Sequence, residues 1–275
     1  MADTVNATLT YFVPPADGSR PYQYMDADPK TGEHVRNFTR EPVQVEVENM
    51  RGKEDSVTLD TAGFQFFKVP SKHTSFKSDE EIQAEYYPES VELIKKITGA
   101  SRVVLFDHTI RRRRPGIIDD GPDKRQPAMV VHVDQSTASA IARVHKHLPP
   151  ADAEALLKRR FQIINLWRPI NQALDYPLAL CDCRSIDRKT DFVPTTLKYA
   201  ERDGESYGVQ HNPNHKWKYM RGMTPDEFIL FKNFDSVQDG SVAVLTPHSA
   251  FNDPTTPADA PLRESIELRT LVFYD

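Results

Sequence analysis

The sequence predicts a mainly β fold: an antiparallel sandwich or jelly roll with helices packed outside it. Three observations lead there. Runs of strand character recur along the chain, from VQVEVEN to the terminal SIELRTLVFYD. They do not alternate regularly with helical patterns, which argues against a parallel doubly wound sheet. No Gly-rich phosphate loop occurs, and only 11 glycines are present in 275 residues. That length is ample for one sizeable core.

Taken in order, residues 1–40 are rich in Pro, Asp and Tyr. They read as an N-terminal arm wrapping a single body, 41–275, that carries helical insertions. Such an arm could serve a homodimer. Val43 to Asn49 (VQVEVEN) alternates with period two, as a half-buried strand does. SVTLDTAGFQFFKV continues in that vein with a Gly at the turn, which predicts a hairpin. Ser78 with Glu81 three residues later makes a capping box, opening a helix that runs to Gly99 with Pro88 as its point of interruption. RVVLFDHTI (Arg102 to Ile110) is a buried strand, and AMVVHVD another. STASAIARVHKHL is helical, with Ala140, Ile141, Val144 and Leu148 at three-to-four spacing. RFQIINLW and YPLALCD return to strand character. Arg184 to Tyr219 is polar with short strand-like pieces. TPDE (Thr224 to Glu227) is a second capping box, predicting a helical turn before FILFKNF. SVAVLTPH and SIELRTLVFYD are the last strands.

Composition narrows the function. Thirty-five basic and 40 acidic residues leave a net charge of −5, which argues against a nucleic-acid or membrane-surface partner. The one basic run, Arg111 to Arg114, is followed by Asp119, Asp120 and Asp123. It reads first as a solvated loop and second as part of an anion or substrate entrance. Cys181 and Cys183 are spaced too closely for a good bridge and are too few for a four-cysteine zinc site. The N-terminus lacks a basic region followed by an apolar one, and no run reaches membrane-spanning length, so a cytoplasmic protein is expected.

The residues that could carry chemistry begin with VVHVDQS. Nine His and 24 Asp make about one His-x-Asp pair by chance, so His132 and Asp134 matter only through their surroundings. They end a strand, and their spacing puts both on one sheet face. His248 ends a later strand and is a more rigid mount than His211 or His215 in the loop HNPNHKW. Two histidines and a carboxylate on one octahedral face are a recurrent way to hold non-heme Fe(II) with positions left open. Downstream, Arg263 and Ser265 lie two apart with Arg269 on the same face. A guanidinium fork beside a hydroxyl suits a dicarboxylate. The plain alternative for Arg263 is a salt bridge with Glu264 or Glu267. Asn165 and Trp167 share one face of INLWRPI and Arg168 takes the other; Trp167 reads as core or as pocket wall. Trp217 and Tyr219 could cover the mouth, and His108 could reach it or be a satisfied core histidine. Gln135 or Asn252 could orient the metal ligands.

The segments FDHTIRRR, VVHVDQS, INLWRPI, ALCD, MTPDEFILFKNFDS, LTPHSAF and RESIELR together resemble the fungal secondary-metabolism oxygenase family. That family includes the gibberellin desaturase and the aspergillic-acid hydroxylase, and is akin to cephem-methoxylation proteins. The blocks run in family order from about Phe106 to the C-terminus. The resemblance implies a cupin-like double-stranded β-helix using Fe(II), 2-oxoglutarate and O2 to oxidise an unactivated C–H bond of a small-molecule substrate. It carries the iron ligands to His132, Asp134 and His248. The gap of fifteen residues between His248 and Arg263 leaves either Arg263 or Arg269 as the co-substrate clamp, with Arg263 and Ser265 preferred and Asn165 beside them. Residues expected near substrate are Arg168, Trp167, Trp217, Tyr219 and His108. Two rivals stand: a non-heme iron oxidase that needs no 2-oxoglutarate, and a non-catalytic jelly-roll binding protein.

Overall fold

The computed structural model describes residues 3–28, 31–117, 119, 121 and 124–274. Two sheets face each other in a double-stranded β-helix, or jelly roll. The larger has nine strands in the order β1 (Thr4–Val13), β3 (Thr39–Asn49), β11 (Trp217–Tyr219), β8 (Leu178–Cys181), β13 (His248–Ala250), β6 (His132–Val133), β10 (Asp203–Val209), β9 (Phe192–Lys198) and β2 (Tyr22–Tyr24). The smaller orders β4 (Phe64–Lys68), β12 (Glu227–Asp235), β7 (Phe161–Pro169), β14 (Glu264–Phe273) and β5 (Arg102–Arg112). All pairs within the five-stranded sheet are antiparallel.

Strand alternation sorts the smaller sheet's residues into two layers. Trp167 and Phe231 point inward and pack with Phe64, Phe66, Leu178 and Leu180 between the sheets. Leu166, Ile266 and Leu268 point outward, where Tyr86 and Ile94 of the helical segment cover them. That segment runs through α1 (Asp79–Glu81), a widened π turn (Ile82–Tyr86) and α2 (Tyr87–Thr98). Ser78 caps it, accepting from Glu81 N at 3.3 Å. Gly99 ends it in the left-handed region at φ 71°, as its lack of a Cβ allows. The π turn immediately precedes Pro88, whose ring supplies no amide hydrogen to the helical ladder. Two further helices, α3 (Thr137–His147) and α4 (Pro150–Leu156), follow β6.

Four expectations are corrected. Residues 4–13 are not part of an arm: they form β1, paired residue by residue with β3, and Val5, Ala7, Leu9 and Tyr11 are buried. The period-two pattern of TVNATLTYFV drives this, and the pairing of β2 with β9 ties that stretch into the larger sheet as well. SVTLDTAGFQFFKV makes no hairpin, because β4 pairs with β12 instead. TPDE forms capping contacts, with Thr224 N donating to Glu227 Oε2 at 2.8 Å. No helix follows, because Glu227 already starts the fully buried strand β12. Of SVAVLTPH, only His248 enters a strand.

Candidate active site

β6 and β13 are short, and their ladder consists of one pair, His132 opposite His248. Directly opposed residues share a face, so both imidazoles enter the space between the sheets with ring centroids 4.4 Å apart. Asp134 lies two residues past His132 and joins them. Its Oδ1 is 3.3 Å from His132 Nε2 and 3.9 Å from His248 Nε2. One donor atom from each residue falls within 4.8 Å of the others.

The hydrogen bonds around this cluster decide which atoms face inward. His132 Nδ1 donates to Val130 O at 2.7 Å and His248 Nδ1 to Thr246 O at 3.0 Å. A carbonyl only accepts, so each Nδ1 carries a proton and each Nε2 is the nitrogen turned inward. Asp134 Oδ2 is taken from behind by Arg269 Nε at 3.0 Å and Asn165 Nδ2 at 2.9 Å. The Asp134 backbone amide donates to Asn233 Oδ1 at 3.0 Å. Oδ1 is thereby left toward the two imidazoles. Two imidazole nitrogens and one carboxylate oxygen, oriented before any ion arrives, suit Fe(II) or a similar divalent cation.

Electrostatics agree. Burial lowers His248 to about 3, with His132 adding to the effect, so the imidazole is neutral and able to ligate. Burial would raise the Asp134 carboxyl, but Arg269 and the two histidines hold it well below the ordinary carboxylate range. Burial raises Glu267, the next carboxylate along the wall, and Asp134 adds to that while Arg269 opposes it.

Beside the cluster lies a small cavity, partly open to solvent, whose wall includes Arg111, Arg263, Glu267 and Arg269. β14 supplies Glu267 and Arg269 from one face, and Arg263 stands one residue before the strand on the same alternation. Arg269 is committed to carboxylates: besides Asp134, its Nη2 donates to Glu267 at 2.8 Å. Arg263 is not. Its backbone amide donates to Asp175 Oδ2 at 3.0 Å, its Nε to Ser265 Oγ at 3.3 Å, and its Nη1 to Tyr176 O. Tyr176 has φ 45°, in the left-handed region. The Arg263 guanidinium lies 5.1 Å over the Trp167 ring.

Several residues expected near the mouth stand elsewhere. Arg168 points to the outer layer, donating to Tyr86 OH at 3.0 Å and to the carbonyls of Val69 and Pro225. His108 is on that outer face too, 2.7 Å from Tyr87 OH. Trp217 and Tyr219 are core residues of the larger sheet: Trp217 Nε1 donates to Tyr11 OH at 2.7 Å and Tyr219 OH to Asp253 at 3.2 Å. Asn165 is buried between Asp134 and Glu267, donating to both. The orienting groups are thus Asn165, Asn233 and Arg269; Asn252 is exposed. The basic run divides. Arg111 lines the cavity, while Arg112 pairs with Glu264 at 2.7 Å and Arg113 with Asp175 at 2.6 Å. Asp120 and Asp123 lie outside the described residues. Cys181 and Cys183 are free thiols. Glu267 and Asn233 were not anticipated, although Glu267 falls on the alternation Arg263, Ser265, Glu267, Arg269 that period two marks out.

Residues 9–273 match a protein family described as an oxidoreductase/YMDC permease-like domain. Among the described residues, no helix is long and apolar enough to cross a membrane. The chain is similar to the hydroxylase/desaturase efuI of Hormonema carpetanum, 36% identical over 99% of this chain and 96% of that protein. It is similar also to the Fe(II)/2-oxoglutarate-dependent dioxygenase nvfI of Aspergillus novofumigatus, 35% identical over 95% of this chain and 94% of that one. A solved structure of the iron and alpha-ketoglutarate-dependent endoperoxidase NvfI superposes with a TM-score of 0.87 at 30% identity, covering 99% and 98% of the two chains.

Proposed function

The chain belongs to the Fe(II)/2-oxoglutarate-dependent oxygenase family of fungal secondary metabolism, and from that premise we propose that His132, Asp134 and His248 hold its iron while Arg263 and Ser265 receive the distal carboxylate of 2-oxoglutarate. Its cofactors are Fe(II), 2-oxoglutarate and O2, and it acts on a small molecule. When bound, the iron with its keto acid and O2 supplies the oxidising power that breaks an unactivated C–H bond.

The protein's own residues do the rest. Val130 O and Thr246 O keep the imidazole protons away from the metal side. Arg269 and Asn165 hold Asp134 so that a single oxygen faces inward. Arg263 sits on the aromatic face of Trp167, a low-dielectric floor on which a guanidinium attracts a carboxylate more strongly than in water. Phe231, with its ring centroid 4.7 Å from that of His248, keeps water from one side of the cluster. The convergence of two Nε2 lone pairs and Asp134 Oδ1 is the observation that carries the reading. We place the enzyme in the cytoplasm, the compartment in which thiols such as Cys181 and Cys183 stay reduced.

The test is an anaerobic titration with Fe(II) and then 2-oxoglutarate, followed in the visible spectrum. The expected result is a weak charge-transfer band that needs both components and is lost in Asp134→Ala. Iron binding without that band would favour an oxidase that takes all its electrons from substrate. No iron binding would overturn the ligand assignment.

A further inference from the structure

We propose that Arg111 is the second half of the co-substrate clamp, so that Arg111 and Arg263 grip the distal carboxylate of 2-oxoglutarate together with Ser265 between them. This rests on the reading above and extends it to a residue on a different strand. In the β5–β14 ladder, Arg111 stands directly opposite Ser265. It therefore shares the inner face with Ser265 and with Arg263 two residues away. Both arginines line the cavity that His132 and His248 enter.

The hydrogen bonds separate these two arginines from the rest. Arg111 Nη1 donates to Gln126 O at 2.7 Å, and Arg263 Nη1 to Tyr176 O. A carbonyl fixes a guanidinium in place without neutralising it. Among the described residues, neither side chain has a carboxylate within salt-bridge distance, whereas Arg112, Arg113 and Arg269 each do. Glu267 opposes the burial of both charges, but it is within salt-bridge distance of neither, and its Oε1 is shared by Arg269 and Asn165.

Three guanidiniums and one carboxylate, Glu267, thus line one cavity, with Asp134 behind it on Arg269, before a divalent ion adds more positive charge. Burial lowers Arg263 to about 9 and the facing Arg111 pushes the same way, the response of two like charges held together. Such a pair is relieved by an anion that both can reach. A carboxylate has two oxygens and about four acceptor positions, so one fork can approach from each side. A substrate carboxylate on Arg111 alone would leave the repulsion from Arg263 half answered.

The experiment compares two keto acids binding to Mn(II)-loaded protein without O2. 2-Oxoglutarate has the distal carboxylate; 2-oxopentanoate keeps the same head and chain length without it. Arg111→Gln is expected to weaken 2-oxoglutarate about 10- to 100-fold, the range for a charged hydrogen bond, and to leave 2-oxopentanoate and Mn(II) binding unchanged. Arg263→Gln should do the same, and the double variant should lose less than the product of the two. Should Arg111→Gln not fold, Arg111→Lys keeps the charge but not the fork, and a selective loss for 2-oxoglutarate is read in the same way. If either Arg111 variant binds 2-oxoglutarate normally, or loses both keto acids equally, the shared clamp is wrong. If the unaltered protein binds the two acids equally, the distal-carboxylate site itself is wrong and the proposal falls with it.

Discussion

Arg269 Nε lies 3.0 Å from Asp134 Oδ2, on the oxygen that the two histidines do not face. The carboxylate is thereby charge-compensated and oriented before any metal is present. Arg269→Ala removes one partner of a buried pair, which should destabilise the metal-free protein by about 3–5 kcal/mol. It also releases Asp134 from the charge that holds its pKa down. Protons then compete better for the carboxylate. Urea denaturation together with Mn(II) titration at pH 6 and pH 8 checks both effects. The variant should lose metal affinity at both values, and more at pH 6. Unchanged stability would mean that solvent already screens the pair.

Acidification should unfold the metal-free protein partly through His248. Its folded value of about 3 lies below the ordinary 6.5, so below pH 6.5 the unfolded chain binds more protons than the folded one. Stability is therefore fully present above pH 6.5 and falls as pH drops from 6.5 toward 3, by up to about 1.4 kcal/mol per pH unit from this one group. His215, lowered by burial although Asp191 opposes the shift, adds to the same slope. His248→Phe should flatten the profile between pH 6 and 4. Denaturant midpoints across that range provide the measurement, and an equally steep profile in the variant would assign the slope to other groups.

Some of this was legible in the sequence and some was not, for physical reasons. His132, Asp134 and His248 could be picked out because a strand ladder brings strand-end residues together, and spacing reports the face. Alternation also put Arg263 and Ser265 on one face, where the Arg263 Nε lies 3.3 Å from Ser265 Oγ. The faces of Arg168 and His108 could not be read, since an alternating strand buried on both sides has polar residues in either layer, and only the helical segment decides which layer is covered. Trp217 and Tyr219 sit in a stretch that looks like a polar loop; three residues of β11, paired with β3 and β8, turn it into core. The sheet role of β1 was hidden by the Pro-rich residues after it, although its own pattern was strand-like.

Outside the cavity wall, Lys232 is fully buried and held by Asp235 at 2.8 Å, Asp60 at 2.7 Å and Ala243 O at 2.9 Å. Arg160 shares Asp235 at 2.7 Å. Asp235→Asn should therefore cost about 3–5 kcal/mol by leaving a buried cation under-compensated. Because the cluster shares no residue with the metal site, Mn(II) and 2-oxoglutarate affinities of the folded variant should match those of the parent. A change in either would reveal coupling along β12, the strand that also bears Asn233.

Arg168 offers the contrasting test for an arginine. Its guanidinium donates only to neutral acceptors, the hydroxyl of Tyr86 and the carbonyls of Val69 and Pro225, and it stacks 4.9 Å over Phe228. These contacts join the smaller sheet to the helical segment and to the Pro225 turn. Arg168→Met keeps much of the packing volume but leaves three acceptors without their donor, at about 1–3 kcal/mol for each one that stays dry. The expected outcome is a lower unfolding midpoint with unchanged 2-oxoglutarate binding. Arg263→Gln, one strand away on the opposite face, should do the reverse in kind: a large loss of 2-oxoglutarate affinity, because its removal takes a charge from the cavity wall. Calorimetric titration and thermal unfolding of the two variants side by side separate the roles. If Arg168→Met weakens 2-oxoglutarate as much as Arg263→Gln does, the two faces of the sheet are not independent and the clamp must be sought through the helical layer.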